Sequence, residues 1–211
     1  MTFLEFQNIF REFTLFSTID LEKTFPGFDR KVLVEWQKKG YIKKLRNNWY
    51  CFADQPFNER DLFFVANQIY APSYVSLKSA LSYYNFIPEG VFQITSISTR
   101  KTKEFDTPTG FFRYRNIKPR LFFGYGLEKQ LSIKTHSSWF KIAAPEKAIL
   151  DFVYLNPRYK DERDFEGLRF NWEEFEEKVD LIKLKEYLIY FNSEALINRI
   201  SKLLNVFYAE S

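Results

Sequence analysis

The chain has 211 residues, of which 45% are hydrophobic and 20% aromatic, with 25 Phe and 13 Tyr against 7 Gly and 8 Pro. These values exclude a disordered or collagen-like chain and predict a globular protein with one large or two small domains. No apolar run approaches the roughly 18 residues that a membrane-spanning helix requires, and the first residues do not have the pattern of a signal peptide. The single cysteine, Cys51, cannot form an internal disulfide, so we expect a cytoplasmic protein.

The net charge of +4 is modest, but the charged residues are distributed unevenly. Residues 30–50 contain seven basic side chains and one acidic side chain, and residues 100–120 contain seven and two. Residues 158–180 reverse the balance, with five basic and nine acidic side chains. The sequence therefore predicts a surface with two basic zones and one acidic zone.

The first two predicted helices begin at capping boxes. Thr2 and Glu5 form the T-x-x-E pattern in front of phenylalanines at helical spacing, and Ser17 with Asp20 marks a second start. The dipeptide Pro26-Gly27 ends the second helix, which is therefore only about two turns long.

A third helix is predicted between Asp29, a good N-cap, and Gly40. Gly40 stands at the position after the helix where the backbone often takes the left-handed conformation. Val32, Leu33 and Trp36 form its apolar stripe. The basic side chains of this helix lie off the stripe, so we expect them to face away from the core. A charged helix face of this kind is also typical of a simply solvated surface.

The runs YIKKL and WYCFA flank Arg46, Asn47 and Asn48, and this pattern predicts a β-hairpin. The order of helix, helix, turn, helix and hairpin predicts a winged helix-turn-helix domain over residues 1–57. In that arrangement the third helix lies in the DNA major groove and the hairpin, or wing, touches the backbone or minor groove. Winged helices also serve as protein-interaction modules, and that alternative stays open.

Residues 58–72 contain ERDLFFVANQIYA, which we interpret as a connecting helix. Ser76 is expected to cap the next helix. The alternating, β-branched segments that follow predict a half-buried antiparallel sheet, on which Arg113 and Arg115 share one solvated strand face. We therefore assign residues 73–211 to a mixed α+β domain, and the whole chain to the α+β class.

Three further helices are predicted near the end of the chain. The first is FKIAAPEKAILDFVYLN, with Pro145 in its first turn and Glu146 at the positive end of its dipole. The others are WEEFEEKVDLIKLKEYLIYF, treated as one helix, and SEALINRISKLLNVF, which Ser193 begins.

Three segments are the most distinctive: SALSYYNFIPE, the strand pair ending in FFRYRNIKP, and APEKAILD. They occur in this order behind WQKKGYIKKLRNNWYCF. With these segments the chain resembles, over nearly its whole length, the AbiE-type (AbiEi) antitoxins of type IV toxin-antitoxin systems in bacteria and their mobile elements. The resemblance implies an autorepressor whose winged N-terminal domain binds inverted repeats in the double-stranded DNA of its own promoter. It also implies a C-terminal antitoxin domain that counteracts a nucleotidyltransferase-like toxin, directly or indirectly.

The resemblance also implies which residues contact DNA. They are Arg30, Lys31 and Lys38 on the third helix, and Lys43, Lys44, Arg46, Asn47 and Asn48 on the wing. A second basic face in the C-terminal domain could extend the DNA footprint or engage the toxin or an RNA. It consists of Arg100, Lys101, Lys103, Arg113 and Arg115.

The sequence contains no glycine-rich phosphate-binding motif and no paired Cys or His at metal-ligand spacing, so we predict no catalytic residue, metal or cofactor. No triad is recognisable around His136, and Cys51 is interpreted as a small apolar filler. Two alternatives to the DNA-binding antitoxin stay open. One is a module that binds a protein or RNA through its basic faces, and the other is an atypical kinase-like enzyme that modifies the toxin, as has been proposed for some relatives.

Overall fold

The structure is a computed structural model that describes residues 2–88, 90, 92–130 and 138–210. It mixes helices and strands, so the α+β class is confirmed. The first part of the chain contains α1 (Phe3–Phe10), β1 (Phe16–Ser17), α2 (Thr18–Thr24), α3 (Lys31–Lys38), β2 (Ile42–Arg46) and β3 (Trp49–Phe52).

The second part is longer and begins with a helix. Its elements up to the last strand are α4 (Glu59–Ile69), β4 (Ser73–Val75), α5 (Lys78–Tyr83), β5 (Gln93–Ser98), β6 (Lys103–Thr107), β7 (Gly110–Asn116), a 3₁₀ turn (Pro119–Leu121), β8 (Tyr125–Lys129) and β9 (Trp139–Ala143). Its later helices are α6 (Pro145–Leu155), α7 (Glu162–Glu166), α8 (Trp172–Lys178), α9 (Leu181–Phe191) and α10 (Glu194–Glu210).

Aromatic side chains hold the first part together. Phe6 lies among them, with its ring centroid 4.7 Å from Trp36, 4.9 Å from Phe16 and 5.3 Å from Phe52. These side chains are buried, and burial of a large apolar side chain contributes about 1.5–3 kcal/mol. Because Phe6 lies on α1, Trp36 on α3 and Phe52 on β3, this cluster fixes the two helices against the small sheet.

Within the described residues, the small sheet has three antiparallel strands in the order β1-β3-β2. One of its faces contributes Ile42 and Tyr50 to the aromatic cluster around α1. Its other face contributes Leu45 and Cys51 to the larger hydrophobic core of the second part. Cys51 is fully buried, as predicted for a small apolar filler. The β2–β3 hairpin is therefore covered on both faces and joins the two cores.

The second sheet, over the described residues, has six strands in the order β6-β7-β5-β4-β9-β8. The pairs β4–β5, β6–β7 and β8–β9 are antiparallel, whereas β5–β7 and β4–β9 are parallel. The prediction of an antiparallel sheet is therefore wrong in part, since the sheet is mixed. Alternation predicts which face of a strand is buried, but it carries no information about which strand lies beside it.

Helix α4 covers this sheet as well as connecting the two parts of the chain. Asn58 caps it reciprocally with Asp61, and Phe63, Val65 and Ala66 are fully buried in the larger core. The predicted connecting helix is thus also a structural layer of the second part.

Two predicted helix boundaries near the larger core are wrong. Ser76 does not cap α5, because the N-cap position is Leu77 and the Ser76 hydroxyl donates to Asp151 instead. The segment from 172 to 191 is two helices, since Asp180 interrupts it and accepts hydrogen bonds from the backbone N–H groups of Ile182 and Lys183 in the first turn of α9. A capping aspartate starts a new helix where its carboxylate satisfies free donors.

The start of α6 follows the prediction for Pro145, which is the first residue of the helix. Glu146 is almost fully buried, accepts a hydrogen bond from the Asp180 backbone N–H at 3.1 Å and pairs with Lys183 at 2.9 Å. Its role is therefore larger than a favourable contact with the helix dipole, because it also ties α6 to the start of α9.

Candidate nucleic-acid interface

Helix α3 exposes one continuous stripe. Lys31, Val34, Glu35 and Lys38 are all exposed and follow one another at spacings of three, one and three residues. On the opposite side Leu33 and Trp36 are buried, as predicted from the apolar stripe, and Val32 packs on their cluster while partly buried. The exposed stripe is therefore the face that α3 presents to solvent.

The C-terminal end of α3 follows the local signal in the sequence, whereas the prediction of Asp29 as its N-cap is wrong by one residue. The Asp29 carboxylate accepts a hydrogen bond from the Lys31 backbone N–H at 2.9 Å, and Arg30 occupies the N-cap position with its side chain exposed. At the other end Gly40 has φ +71°, the left-handed conformation that glycine adopts without steric cost. The Tyr41 N–H then bonds to the carbonyl of Trp36 at 2.9 Å.

The hairpin after α3 presents two lysines. Lys43 and Lys44, opposite Cys51 and Tyr50 respectively, are exposed on β2, which is an edge strand of the small sheet. Because they are consecutive, they project to opposite sides of the strand. Helix α3 packs against β2, so these lysines and the α3 stripe belong to neighbouring elements.

The tip of the hairpin consists of Asn47 and Asn48, both exposed. Asn48 has φ +65°, a conformation that asparagine tolerates better than most residues. Its carbonyl accepts a hydrogen bond from the Thr18 N–H at 3.0 Å, which fastens the tip to the start of α2. The two side-chain amides can donate to or accept from polar groups of a ligand.

Arg46 is not exposed beside Lys43, Lys44 and the hairpin tip, although it was predicted as a DNA contact. Its Nη1 donates to the carbonyl of Ile69 at 2.6 Å, and its guanidinium lies 3.9 Å from the ring centroid of Phe105 and 4.9 Å from that of Tyr70. Burial lowers the pKa of Arg46. The side chain therefore links the hairpin to α4 and β6, because aromatic faces and a backbone carbonyl attract it inward.

The five residues of the predicted second basic face do not share one face. Lys103 pairs directly with Tyr114, and directly paired residues project from the same side of a sheet. Tyr114 donates to the Ala66 carbonyl of α4, so Lys103 lies on the side of α4. Arg113 pairs with Glu104 and, like Arg115 two residues later, projects from the other side.

Arg100 and Lys101 lie in the connection between β5 and β6. The Arg100 guanidinium donates to the Ala71 carbonyl at 3.1 Å and lies 4.9 Å from the Tyr70 ring centroid, and the Lys101 carbonyl accepts from the Tyr70 hydroxyl at 2.7 Å. Both side chains are exposed. The prediction of a single basic face is thus wrong, because strand pairing places its members on both sides of the sheet.

Arg113 and Arg115 do share one strand face, as predicted, but that face is not simply solvated. Both side chains are half-buried. Arg113 Nε lies 3.0 Å from a carboxylate oxygen of Glu104, and Arg115 donates to the carbonyl of Leu155 at 3.1 Å. They line a cleft of about 580 Å³ between the sheet and the C-terminal end of α6, which is called the arginine cleft below.

A buried ionic cluster on α6 was missed by the sequence analysis. Lys147 and Asp151 form an ion pair with both side chains fully buried, and Tyr74 and Ser76 each donate to Asp151 at 2.9 Å. Burial lowers the pKa of Lys147 and raises the pKa of Asp151, while their mutual attraction opposes both shifts. In the sequence, the four-residue spacing of Lys147 and Asp151 was the only indication of an ion pair, and helical pairs with this spacing are mostly exposed to solvent. Full burial leaves no route to a ligand, so the cluster is structural.

The described residues 2–88, 90, 92–130 and 138–210 contain no group of three His, Cys, Asp or Glu side chains placed to hold a metal ion. Over the same residues, no helix combines the length and apolar character needed to cross a membrane. His136 lies outside the described residues.

Comparison with known proteins does not identify a family. The sequence matches none of the protein-family models and none of the curated proteins with which it was compared. The exposed residues of α3 and the hairpin, together with the resemblance of the sequence segments, are therefore the basis of the functional proposal.

Proposed function

We propose that the chain is an AbiE-type antitoxin that binds DNA through a winged helix-turn-helix domain at residues 1–57. The order of elements supports this proposal, because α1, β1, α2, α3 and the β2–β3 hairpin succeed one another as in that fold. Strand β1 also pairs with β3, which closes a small sheet beside the helices. In winged helices the third helix enters the major groove, and the hairpin touches the backbone or minor groove.

The observation that carries the proposal is the set of exposed basic side chains on two consecutive elements, although Lys43 and Lys44 project to opposite sides of β2. Lys31 and Lys38 stand on the exposed stripe of α3, and Lys43 and Lys44 stand on the strand that packs beside it. Each lysine that neutralises a phosphate releases condensed counterions from DNA, which drives association. Between the α3 lysines, the exposed Val34 offers a methyl contact of the kind that thymine accepts in the major groove.

The proposed DNA contacts are the predicted set without Arg46. Arg46 is left out because a DNA phosphate would have to compete with the Ile69 carbonyl and two aromatic rings for its guanidinium. The remaining residues are Arg30, Lys31, Lys38, Lys43, Lys44, Asn47 and Asn48.

The rest of the proposal follows the family resemblance. Two copies bind an inverted repeat in the promoter of their own operon, and residues 73–211 counteract a nucleotidyltransferase-like toxin, directly or indirectly. This proposed activity requires no catalytic residue and no cofactor in the antitoxin.

The test measures fluorescence anisotropy of the labelled upstream region of the chain's own operon as a function of salt. For the pair Lys43→Ala and Lys44→Ala, we expect weaker binding. The slope of log K against log salt concentration should be smaller in magnitude by about 2 for each bound copy, and by about 4 for two copies on the inverted repeat, since each phosphate contact contributes about 0.9. The matched control is the pair Lys185→Ala and Lys202→Ala, which removes the same charge from exposed positions on α9 and α10. The control should keep the wild-type slope.

Two results would reject the proposal. One is the absence of salt-dependent binding to the upstream region, and the other is an equal loss of slope in both pairs of variants. Toxin co-expression separates the alternative: the Lys43 and Lys44 variant should lose repression and keep neutralisation. If it instead keeps promoter binding and loses neutralisation, the basic surface binds a protein or RNA.

A further inference from the structure

The arginine cleft is built from two walls of different chemistry. Strands β5 and β7 contribute Gln93, Thr95, Arg113 and Arg115, while the end of α6 and the turn after it contribute apolar groups and Arg158. The cleft is also lined by Lys78, and none of the described residues that line it is acidic. Four cationic side chains around one concave site favour a ligand with more than one negative charge.

Each guanidinium in the cleft contacts a neighbouring group while donors remain for a ligand. Arg113 forms an ion pair with Glu104 in which both side chains are half-exposed, and Arg115 donates to the Leu155 carbonyl. Arg158 contacts the hydroxyl and ring of Tyr159, at 2.9 Å and 4.9 Å. A guanidinium carries five N–H donors, so one such contact leaves others that can bind a phosphate in a fixed fork geometry.

The apolar part of the cleft is suited to an aromatic ring rather than to an anion. Leu155 and the largely buried Phe152 line the helix wall, and Phe92 at the mouth has 99% of its surface exposed. An aromatic ring left in water costs hydrophobic free energy, and stacking on a base recovers part of it. The cleft volume of about 580 Å³ also lies in the range of small-molecule sites.

The backbone beside the cleft carries strain. Leu77, which lines the cleft at the start of α5, has φ +60° and ψ −141°, a region that is essentially restricted to glycine. Neighbouring hydrogen bonds hold it there: the Ser76 hydroxyl donates to Asp151, and the Ser79 N–H donates to the Thr95 hydroxyl at 3.1 Å. Backbone strain of this kind clusters at ligand-binding sites, so the strain at Leu77 supports the assignment of the cleft as a ligand-binding site.

We propose that the arginine cleft binds a nucleotide with two or more phosphates. The arginines and Lys78 bind the phosphates, and Phe92 with the apolar wall binds the base. Phosphate or phosphorylated protein alone would use the cations and leave Phe92 and the apolar wall without a partner. This site is separate from the proposed DNA surface on α3 and the hairpin, so either assignment can hold without the other.

Isothermal titration calorimetry on the full chain tests the assignment with the four ribonucleoside triphosphates, their nucleosides and inorganic tripolyphosphate. We expect at least one triphosphate to bind at least tenfold more tightly than both its nucleoside and tripolyphosphate. For the pair Arg115→Gln and Arg158→Gln, we expect about 100-fold weaker binding, because each charge-assisted contact contributes about tenfold or more. The control pair, Lys118→Gln and Arg120→Gln, removes equal charge from exposed positions outside the cleft and should bind as wild type.

Phe92→Ala keeps the test decisive if the arginine variants fold poorly, because this exposed side chain contributes little to packing. It should weaken triphosphate binding about 5- to 150-fold, the range of base–aromatic stacking, and leave tripolyphosphate binding unchanged. The proposal is overturned if no triphosphate binds, if tripolyphosphate binds as tightly as the triphosphates, or if the control pair weakens binding equally. Displacement of the nucleotide by double-stranded DNA would also overturn it. The Lys43 and Lys44 variant should keep nucleotide binding, so failure of the DNA proposal is observed separately.

Discussion

The buried pair of Lys147 and Asp151 gives the sharpest test of the larger core. Lys147→Met keeps a long side chain but removes the ammonium, which leaves the Asp151 carboxylate with only the Tyr74 and Ser76 hydroxyls as described partners. Removing one member of a buried ion pair costs about 3–5 kcal/mol, because the other charge stays desolvated without its counter-charge. We therefore expect Lys147→Met to lower the free energy of unfolding by this amount.

The double variant separates charge from packing. Asp151→Asn alone leaves a buried ammonium and should cost at least about 3 kcal/mol. Lys147→Met with Asp151→Asn has no buried charge, and an asparagine oxygen still accepts a hydrogen bond, so the pair should cost only about 1–2 kcal/mol. The coupling energy between the two positions should then be at least about 4 kcal/mol.

Urea unfolding followed by tryptophan fluorescence measures these differences at pH 7.5. The control is Arg11→Met, which breaks an exposed ion pair with Asp54 and should cost at most about 1 kcal/mol. The reasoning is refuted if Lys147→Met costs no more than this control. It is equally refuted if the effects of the two single substitutions in the cluster simply add.

The cost of Lys147→Met should also depend on pH in a defined direction. Burial already raises the pKa of Asp151 above its ordinary 3.8, and removing Lys147 removes the main opposing interaction. A group with a raised folded pKa contributes stability below its unfolded pKa and loses it as pH rises through the folded value. The variant should therefore regain stability, relative to wild type, as the pH falls from 7.5 towards 5. A constant difference over this range would contradict the assignment.

Three further predictions concern other parts of the fold. Burial raises the pKa of Tyr114, so stability should fall above pH 10, and Tyr114→Phe should reduce that fall by about 1.4 kcal/mol per pH unit in urea titrations. Arg46→Met should lower stability by about 1–3 kcal/mol and leave the salt slope of DNA binding unchanged, since its contacts are internal. Gly124→Ala should cost about 1–3 kcal/mol more than Gly27→Ala, because both have positive φ but only the Gly124 Cβ would meet Tyr187, at 2.9 Å.

Local features of the fold were predictable because their causes lie within a few residues of sequence. The capping boxes at Thr2 and Ser17 satisfy donors three residues away, and Gly40 terminates its own helix. The hairpin around Asn47 and Asn48 forms where turn residues separate two strand-forming runs.

Features that depend on distant partners were not predictable in the same way. Ser76 has the sequence context of a helix cap, but Asp151, 75 positions later, takes its hydroxyl. Arg113 and Lys103 both belong to a basic stretch, yet strand pairing sends them to opposite sides of the sheet. Composition reports how many charges a segment carries, whereas tertiary contacts determine which of them reach a partner.

The β2–β3 hairpin shows how the proposed function can be tested, because some of its basic side chains are exposed and one makes internal contacts. Lys43 and Lys44 are exposed, so replacing them changes the surface charge with little effect on packing. Arg46, two residues later, joins the hairpin to the second part of the chain through Ile69 and Phe105. Substituting Lys43, Lys44 and Arg46 together by alanine would therefore mix the loss of the proposed DNA contacts with the loss of a structural link. Only the lysine pair and Arg46 varied separately can assign a defect in repression to one of the two causes.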